Sequence, residues 1–384
     1  MKRIWLPLCS LLYFIFGSVS FLEAISSSAF LTLGFETSAT TQAIGGYNTT
    51  VGNAWNSDPL MAYTNPALAA FQEGFSYSVI RYKWIFGDSH HNAALAVIGY
   101  KGLAVILPAL NIDNEWGVYF GVDIDQYDSS GNVMGTYRCY DSYKVYGLAV
   151  NPLEVYREYG TNPYPLLKHF DLALGLNYMD IESYLSPPSE LSPIEAKAET
   201  NIFNLGLVAK ANYRIADCLK AEASFGLTRF NPENKKVKFI DDEEADPIWR
   251  YRNTGFGLFL AVPLELIQDQ LPANMQFTDN LVSVKGLYGQ QDYLFGSDDE
   301  ITTGNGMELG ILDTIYLRKG YYEDEAGHIT GDTTGFGINL HYKDYFSIRY
   351  NRASFPGGEL VNKHKSSDYG VNLNFMKIME AFQR

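Results

Sequence analysis

The chain has 384 residues, 46% of them hydrophobic, and carries 29 Lys and Arg against 44 Asp and Glu, for a formal net charge of -15. This acidic balance argues against nucleic acid as a partner, because neutralising phosphates needs clustered Lys and Arg. The length allows one large domain or two to three ordinary ones.

The first 24 residues have the order of a secretory signal peptide. Lys2 and Arg3 precede an apolar run over residues 4–22, and the small residue Ala24 follows. We therefore predict a signal peptide over residues 1–24 that directs export. The apolar run could also span a bilayer if it were retained, so an uncleaved anchor is the alternative.

Two cysteines, Cys139 and Cys218, follow the predicted signal peptide. Export makes a disulfide chemically possible, but two cysteines are too few for a disulfide scaffold. Their spacing does not decide whether they pair.

A short helix is predicted at Asn65, Pro66 and Ala67. Asn is a preferred helix N-cap, and Pro is tolerated at the first helical position. The triplet is followed by a short apolar run, so the helix is expected to extend through Phe71.

Apolar and polar residues alternate with period two over residues 75–376. In "FDLALGLNYMD" and "WGVYFGVDID", every second residue is apolar and the others are mostly polar or glycine. Such alternation predicts strands with two different faces. The segments are about nine to thirteen residues long, as a tilted strand needs to be to cross a bilayer, whereas strands of soluble proteins are shorter.

These segments predict an all-β fold, a transmembrane antiparallel β-barrel of about 14 strands. A soluble sandwich also alternates, but aromatic residues near many strand ends and the lack of helices to cover an apolar sheet face favour the membrane barrel. The predicted domains are a signal peptide (1–24), an N-terminal segment without alternation (25–72), which the family resemblance described below makes the luminal plug segment, the barrel (75–376) and a C-terminal tail (377–384). Long loops are predicted at 128–141 and 231–247.

The polar or glycine face of the strands is assigned to the lumen and carries few charges. Its members are Gly121, Gly175, Gly206, Gly257, Gly337, Asn177, Asn204 and Asn339. Small neutral residues allow a plug to pack closely, so the barrel is expected to be occluded.

The chain end departs from the usual barrel pattern. The last alternating segment stops at Phe375, and the tail "MKIMEAFQR" follows. Either this tail forms a short helix or the last strand is misplaced.

Two parts of the sequence resemble the PorV/PorQ family of outer-membrane barrels, which is related to the FadL-type transporters. The matching residues are Gly45-Gly46-Tyr47, Trp55 to Asp58 and Asn65-Pro66-Ala67-Leu68 at the front, and Leu317, Arg318, Gly320 and Tyr321 before a glycine-rich strand at 335–340. The resemblance implies that the N-terminal segment folds inside the lumen as a plug. It makes Gly45, Gly46, Asn65, Pro66 and Ala67 candidates for plug anchoring and gating.

The same resemblance implies two alternative functions. One is passive transport of hydrophobic small molecules through the plugged barrel, and the other is a partnership with secreted proteins in a type IX-like secretion route. Outer-membrane lipids are expected partners in both cases. No Ser, His and acid set falls on one strand face, and the six His residues lack zinc-site spacing, so we expect no enzyme, no metal site and no cofactor.

Overall fold

The structure is a computed structural model of the chain. It describes residue 33 and residues 36–46, 58–83, 90–127, 130–160, 164–186, 196–216, 218–238, 245–267, 279–293, 301–324, 329–342, 345–357 and 363–383. The predicted signal peptide therefore lies outside the described residues. No helix in the described part of the chain is long and apolar enough to cross a bilayer.

Strands dominate the described residues. In chain order they are β1 (Gly74–Lys83), β2 (His90–Tyr100), β3 (Leu103–Pro108), β4 (Val118–Tyr127), β5 (Val133–Val150), β6 (Phe170–Ser186), β7 (Ala196–Ala216), β8 (Leu219–Phe230), β9 (Lys236–Val237), β10 (Asp246–Pro247), β11 (Tyr251–Pro263), β12 (Asn280–Tyr293), β13 (Ile301–Ile311), β14 (Ile315–Asp324), β15 (Ile329–Tyr342), β16 (Phe346–Pro356) and β17 (Lys363–Leu373).

Fifteen of these strands form one antiparallel sheet that closes on itself. Apart from β3 and β4, which do not pair with each other, each strand of this sheet pairs with the next one along the chain, and β1 pairs with both β2 and β17. Strands β3 and β4 both lie between β2 and β5, so they share one place in the wall. The fifteen strands therefore occupy fourteen positions, which confirms the predicted barrel and its strand number. Closure leaves no sheet edge to pair with another chain.

The helices lie inside the barrel or at one end of it. They are α1 (Ala39–Ala43), α2 (Met61–Thr64), α3 (Pro152–Tyr159) and α4 (Phe375–Gln383), with 3-10 helices at Pro66–Phe71, Pro165–His169 and Leu264–Leu266. Helices α1 and α2 and the first 3-10 helix are buried in the lumen. We call the described residues 36–46 and 58–72 the plug. The lower rim is the end at which β1 begins and β17 ends, and the upper rim is the opposite end.

The two faces of the wall differ as the alternation predicts. On β11, Phe256 and Leu258 face outward and are more than half exposed, whereas Asn253 and Ala261 face the lumen and are buried. Exposed leucine, isoleucine, phenylalanine and tyrosine side chains recur on the outward faces of most strands. The barrel therefore has an apolar outer belt.

Strand β4 reverses the face assignment made from the sequence. Val118 is fully buried in the lumen core, while Tyr119 and Gly121 share the outward face with Tyr140. Gly121 was predicted to face the lumen, and that prediction is wrong. Its inward residue Val118 belongs to the buried apolar cluster of the lumen, which accommodates an apolar face there.

Strands β5 to β7 are longer than predicted, with 18, 17 and 21 residues. Strand β5 begins at Val133, inside the predicted loop 128–141. The upper parts of the β6–β7 hairpin carry Glu182, Lys197 and Glu199 in ion pairs, so the hairpin continues beyond the apolar belt. The predicted loop 231–247 contains the two-residue strands β9 and β10.

The chain turns from strand to helix at Asn374. Strand β17 ends at Leu373, and Asn374 Oδ1 accepts a hydrogen bond from the Lys377 amide at 3.2 Å, in the first turn of α4. The last strand is thus two residues shorter than the sequence suggested, and the tail forms a helix.

Cys139 and Cys218 lie at opposite ends of the barrel. Cys139 is paired with Leu185 near the upper end of β6, while Cys218 lies in the lower-rim turn between β7 and β8. They form no disulfide.

Candidate functional site

The Asn65-Pro66-Ala67 turn begins the 3-10 helix Pro66–Phe71, as predicted. The side chain of Asn65 caps it, with Oδ1 accepting a hydrogen bond from the Ala67 amide at 3.1 Å. Asn65 Nδ2 donates to the Leu207 carbonyl on β7 at 3.3 Å, and Asn65 is fully buried. One side chain therefore both starts the helix and ties it to the wall.

Two paired glycines on the wall contact this turn. Gly175 on β6 and Gly206 on β7 face each other in the register. A Cβ atom on either would lie well within 3.0 Å of Asn65, Pro66 or Ala67. Only glycine allows the plug backbone to approach the wall this closely.

Two paired asparagines lie beside the glycines and bind the end of helix α2. Asn177 Nδ2 donates to the Ala62 carbonyl at 2.8 Å, and Asn204 Nδ2 donates to the carbonyls of Tyr63 at 2.9 Å and Thr64 at 3.1 Å. The last carbonyl groups of a helix lack partners within the helix, so buried side-chain donors stabilise this end.

Gly45 and Gly46 anchor the plug at a different part of the wall. Both have positive φ, 95° and 75°, and they follow helix α1. Gly306 on β13 and Gly320 on β14 are paired, and a Cβ on them would come within 2.5 Å of the Ile44 carbonyl oxygen and 2.6 Å of the Gly45 nitrogen. The five candidate residues therefore contact the wall at two separate places. Gly45 and Gly46 lie against β13 and β14, and the Asn65-Pro66-Ala67 turn lies against β6 and β7.

A buried ionic network lines the lumen face of β12 to β17, which we call the ionic half. Glu308 pairs with Lys285 Nζ at 2.9 Å and with Arg318 Nε at 2.6 Å. Arg318 Nη1 donates to Asn351 Oδ1 at 2.8 Å, and Asn351 Nδ2 donates to Asp368 Oδ1 at 2.7 Å. Each charge is offset by a neighbour, as burial of ions requires.

The plug is part of this network through Asp58 and helix α1. Arg349 Nη2 lies 2.9 Å from Asp58 Oδ1, and the Ser38 hydroxyl donates to Asp58 Oδ2 at 2.7 Å. The Ala39 amide, at the N-terminus of α1, donates to Asp368 Oδ2 at 2.9 Å. Three cations and three carboxylates balance in this network, namely Lys285, Arg318, Arg349, Asp58, Glu308 and Asp368.

The lumen face of β2 to β7, which we call the apolar half, has a different lining. Here the plug residues Ala67, Leu68 and Ala69 belong to one buried cluster with wall residues such as Leu95 and Val208. At the lower end of this half, Lys210 Nζ lies 4.2 Å from the centre of the Phe71 ring and 3.3 Å from Glu222. Most of the contact between plug and wall on this side is therefore aliphatic.

Tyr63 connects helix α2 of the plug to Leu33, which precedes the plug residues in the chain. Its hydroxyl donates to the Leu33 carbonyl at 3.1 Å. Burial, with a smaller contribution from the nearby Glu36 carboxylate, raises the pKa of Tyr63, so the hydroxyl stays protonated and remains a donor.

The wall of the apolar half is interrupted between β3 and β4. Strand β5 pairs with β4 down to Tyr143 and with β3 from Gly147 onward, and its residues 144–146 have no partner on this side in the strand register. Residues 109–117, the β3–β4 loop, leave the wall here and fold over the outer face of β1 and β2, where Ala109 packs with Val79 and the Tyr77 hydroxyl donates to the Leu110 carbonyl at 2.8 Å.

Aliphatic side chains line the lumen side of this interruption. They are Ile106 on β3, Val118 on β4 and Val145 on β5, all fully buried in the same cluster as the plug helix. No sequence motif marked this feature, although Pro108 at the end of β3 cannot donate to a strand ladder.

The sequence reasoning missed the ionic half. It expected few charges in the lumen, whereas Lys285, Glu308, Arg318, Arg349 and Asp368 all face inward and are largely buried. The available signal was their position, since each charge falls on the polar face of its alternating strand. Among the described residues, no three His, Cys, Asp or Glu side chains are grouped so as to hold a metal ion.

Comparisons with known proteins give matches among solved structures alone. No family model matches the sequence. No curated protein matches it either. The resemblance to the PorV/PorQ family therefore stays a prediction.

Several solved barrels are similar to this chain over most of its length, at low identity. A FadL homologue of Pseudomonas aeruginosa is 11% identical, with 87% of this chain and 97% of that chain covered and a TM-score of 0.38. The Pseudomonas putida toluene transporter TodX is 10% identical, with 89% and 99% covered and a TM-score of 0.41. The monoaromatic hydrocarbon channel CymD is 10% identical, with 90% and 99% covered and a TM-score of 0.41.

Proposed function

We propose that this protein is an outer-membrane barrel that lets hydrophobic small molecules pass without an energy source. The closed sheet and its apolar outer belt suit a bilayer, because each wall strand pairs with a strand on both sides and lipid covers the exposed apolar side chains. Four lower-rim connections are only two or three residues long, namely 101–102, 217–218, 312–314 and 343–345. Short turns are typical of the periplasmic side, so we place the lower rim there.

The observation that carries the proposed function is the aliphatic lining of the interrupted wall. Ile106, Val118 and Val145 connect the apolar half of the lumen to the place where residues 144–146 of β5 lack a partner in the strand register. A nonpolar solute loses little by entering such a lining, whereas an ion would lose its hydration. A path along the apolar half and through this interruption would deliver the solute to the lipid.

The plug controls this path in the proposal. The 3-10 helix Pro66–Phe71 occupies the apolar half, and its cap residue Asn65 and the end of α2 are joined to the wall by a few hydrogen bonds between neutral groups. Displacing it would cost less than displacing the ion-paired segment around Asp58. We therefore assign the gating role to Asn65, Pro66 and Ala67, and the anchoring role to Gly45 and Gly46.

The first experiment identifies what the protein carries. The tagged protein is extracted from its own membrane in mild detergent, and everything that co-purifies is analysed by mass spectrometry. A stoichiometric hydrocarbon or other apolar compound supports the proposal and names the ligand. Recovery of exported proteins that share a C-terminal domain would overturn it in favour of the secretion partnership.

A second experiment tests the route. The purified protein is placed in lipid vesicles, and entry of a fluorescent hydrophobic probe is followed. Val145→Asn puts an amide in the aliphatic lining and is expected to slow entry several-fold. The matched control is Val284→Asn on the outward face of β12, which leaves the lumen unchanged. Equal rates in the two variants would contradict the route.

A further inference from the structure

The C-terminal helix α4 has one apolar side, which the other described residues leave largely exposed. Phe375, Met379 and Phe382 are spaced by four and three positions, so they lie on one stripe, and they are 49%, 50% and 87% exposed. Lys377 and Glu380 lie on the opposite side and form an ion pair at 3.8 Å. The helix is therefore amphipathic, and its apolar side is about half exposed or more.

The stripe continues the outer belt of the barrel. The Phe375 ring lies 6.4 Å from the ring of Phe75, which is on the outward face of β1. The start of the helix is fixed to the lower rim, because the Asn374 amide donates to the Tyr345 carbonyl at 2.8 Å and Asn374 is buried. The helix thus leaves the wall at the level where the apolar belt ends.

A helix of this kind needs an apolar surrounding to be stable. It has nine residues, and isolated helices shorter than about twelve residues are marginal in water. Three large apolar side chains exposed together add an unfavourable surface. Both problems disappear if the stripe faces acyl chains and the Lys377–Glu380 side faces water.

We propose that α4 lies in the interface of the periplasmic leaflet, with Phe375, Met379 and Phe382 among the phospholipid acyl chains. The helix would hold the chain end flat against the membrane, beside the place where β1 and β17 close the barrel. This inference rests on the proposed membrane location. It adds a lipid-binding surface that the transport route does not require.

Depth-dependent quenching tests the proposal on the full-length protein. The native cysteines are replaced by serine, and a single cysteine is introduced at Phe382, at Glu380 or at Leu258. Each variant carries a polarity-sensitive fluorophore and is placed in vesicles of phosphatidylethanolamine and phosphatidylglycerol that contain acyl-chain spin-labelled lipid. Leu258 lies on the outward face of β11 and reports insertion of the barrel itself. Folding of each variant is checked by heat-dependent mobility on gels.

Quenching at position 382 is expected to exceed that at position 380 by roughly two-fold or more, because the two positions face opposite sides of the helix. Strong quenching at 258 with equal, weak quenching at 380 and 382 would overturn the helix proposal and leave the membrane location intact. Weak quenching at all three positions would mean that the barrel does not insert, and both proposals would fall.

Two further outcomes would show that a protein, and not lipid, covers the apolar stripe of α4. If position 382 is shielded only when the ratio of protein to lipid is high, a second copy of the chain covers the stripe. If it is exposed to water in vesicles but shielded in native membranes, a separate protein covers it. Either result overturns the lipid assignment.

Discussion

The two halves of the lumen hold the same plug by different physical means. In the apolar half, paired glycines and asparagines receive the 3-10 helix Pro66–Phe71, and aliphatic side chains fill the remaining space. In the ionic half, the Asp58–Arg349 pair and the α1 contact with Asp368 connect the plug to a balanced network of buried charges. Close packing can slide in small steps, whereas a buried ion pair is costly to break. We therefore expect the part of the plug in the ionic half to stay fixed and the part in the apolar half to move.

The largest effect is expected from breaking the ionic half. Asp58→Asn removes the carboxylate that faces Arg349, and Glu308→Gln leaves Lys285 and Arg318 facing each other. Each should lower the free energy of unfolding by about 3 to 5 kcal/mol, because a buried charge loses its partner. Urea unfolding in lipid vesicles measures this loss.

The same two variants distinguish the effect of changing the plug from the effect of changing the wall. Asp58 belongs to the plug, and Glu308 belongs to β13. Asp58→Asn is therefore expected to raise single-channel conductance in planar bilayers, and Glu308→Gln is expected to leave it closer to wild type. Equal conductance in both variants would show that the ionic half does not anchor the plug.

A somewhat smaller effect is expected from adding a side chain to the glycine pair that contacts the plug in the apolar half. Gly175→Val would place side-chain atoms where Pro66 and Ala67 now lie, and overpacking of this kind costs about 1 to 3 kcal/mol. The displaced plug should admit the hydrophobic probe faster. Gly286→Val is the matched control, because a Cβ at that position meets no atom within 4 Å. A similar change in both variants would argue against a specific contact between the plug and this glycine pair.

Asn65→Ala should have a smaller effect on stability. It removes the cap of the 3-10 helix and the hydrogen bond to Leu207, and loss of a cap costs about 0.5 to 2 kcal/mol. Permeation is expected to change while the yield of folded barrel stays near wild type. Unchanged permeation with a collapsed yield would make the residue structural only.

The smallest effect concerns pH at the lower end of the apolar half. Burial in α3, aided by repulsion from Glu73 and Asp171, raises the pKa of Glu154 from about 4.5 to about 7. A carboxyl with a raised pKa favours folding when protonated, so its contribution is full below about pH 4.5 and is lost as the pH rises through about 7.

Hydrogen exchange of the amides near α3 measures this loss. Protection is expected to fall between those two pH values in the wild type, and to change less in Glu154→Gln. If the variant follows the same pH profile as the wild type, another group is responsible.

The face of a strand was predictable where its two sides meet different surroundings. On β6 and β7, apolar residues face outward and Gly175, Gly206, Asn177 and Asn204 face the lumen, as expected. On β4 the assignment failed, because the lumen side there is part of a buried apolar cluster. Alternation shows that a strand has two faces, and it does not show which face meets lipid.

The sequence by itself determined the barrel, its approximate strand number and the helix at Asn65-Pro66, because alternation and capping are local signals read along a few residues. Only the tertiary structure decided which residues meet across the lumen. Arg349 and Asp58 are 291 positions apart, and Thr333 donates to the Ala43 carbonyl across 290 positions. Such contacts follow from closing the sheet around the plug, and no local pattern records which side chains that closure brings together.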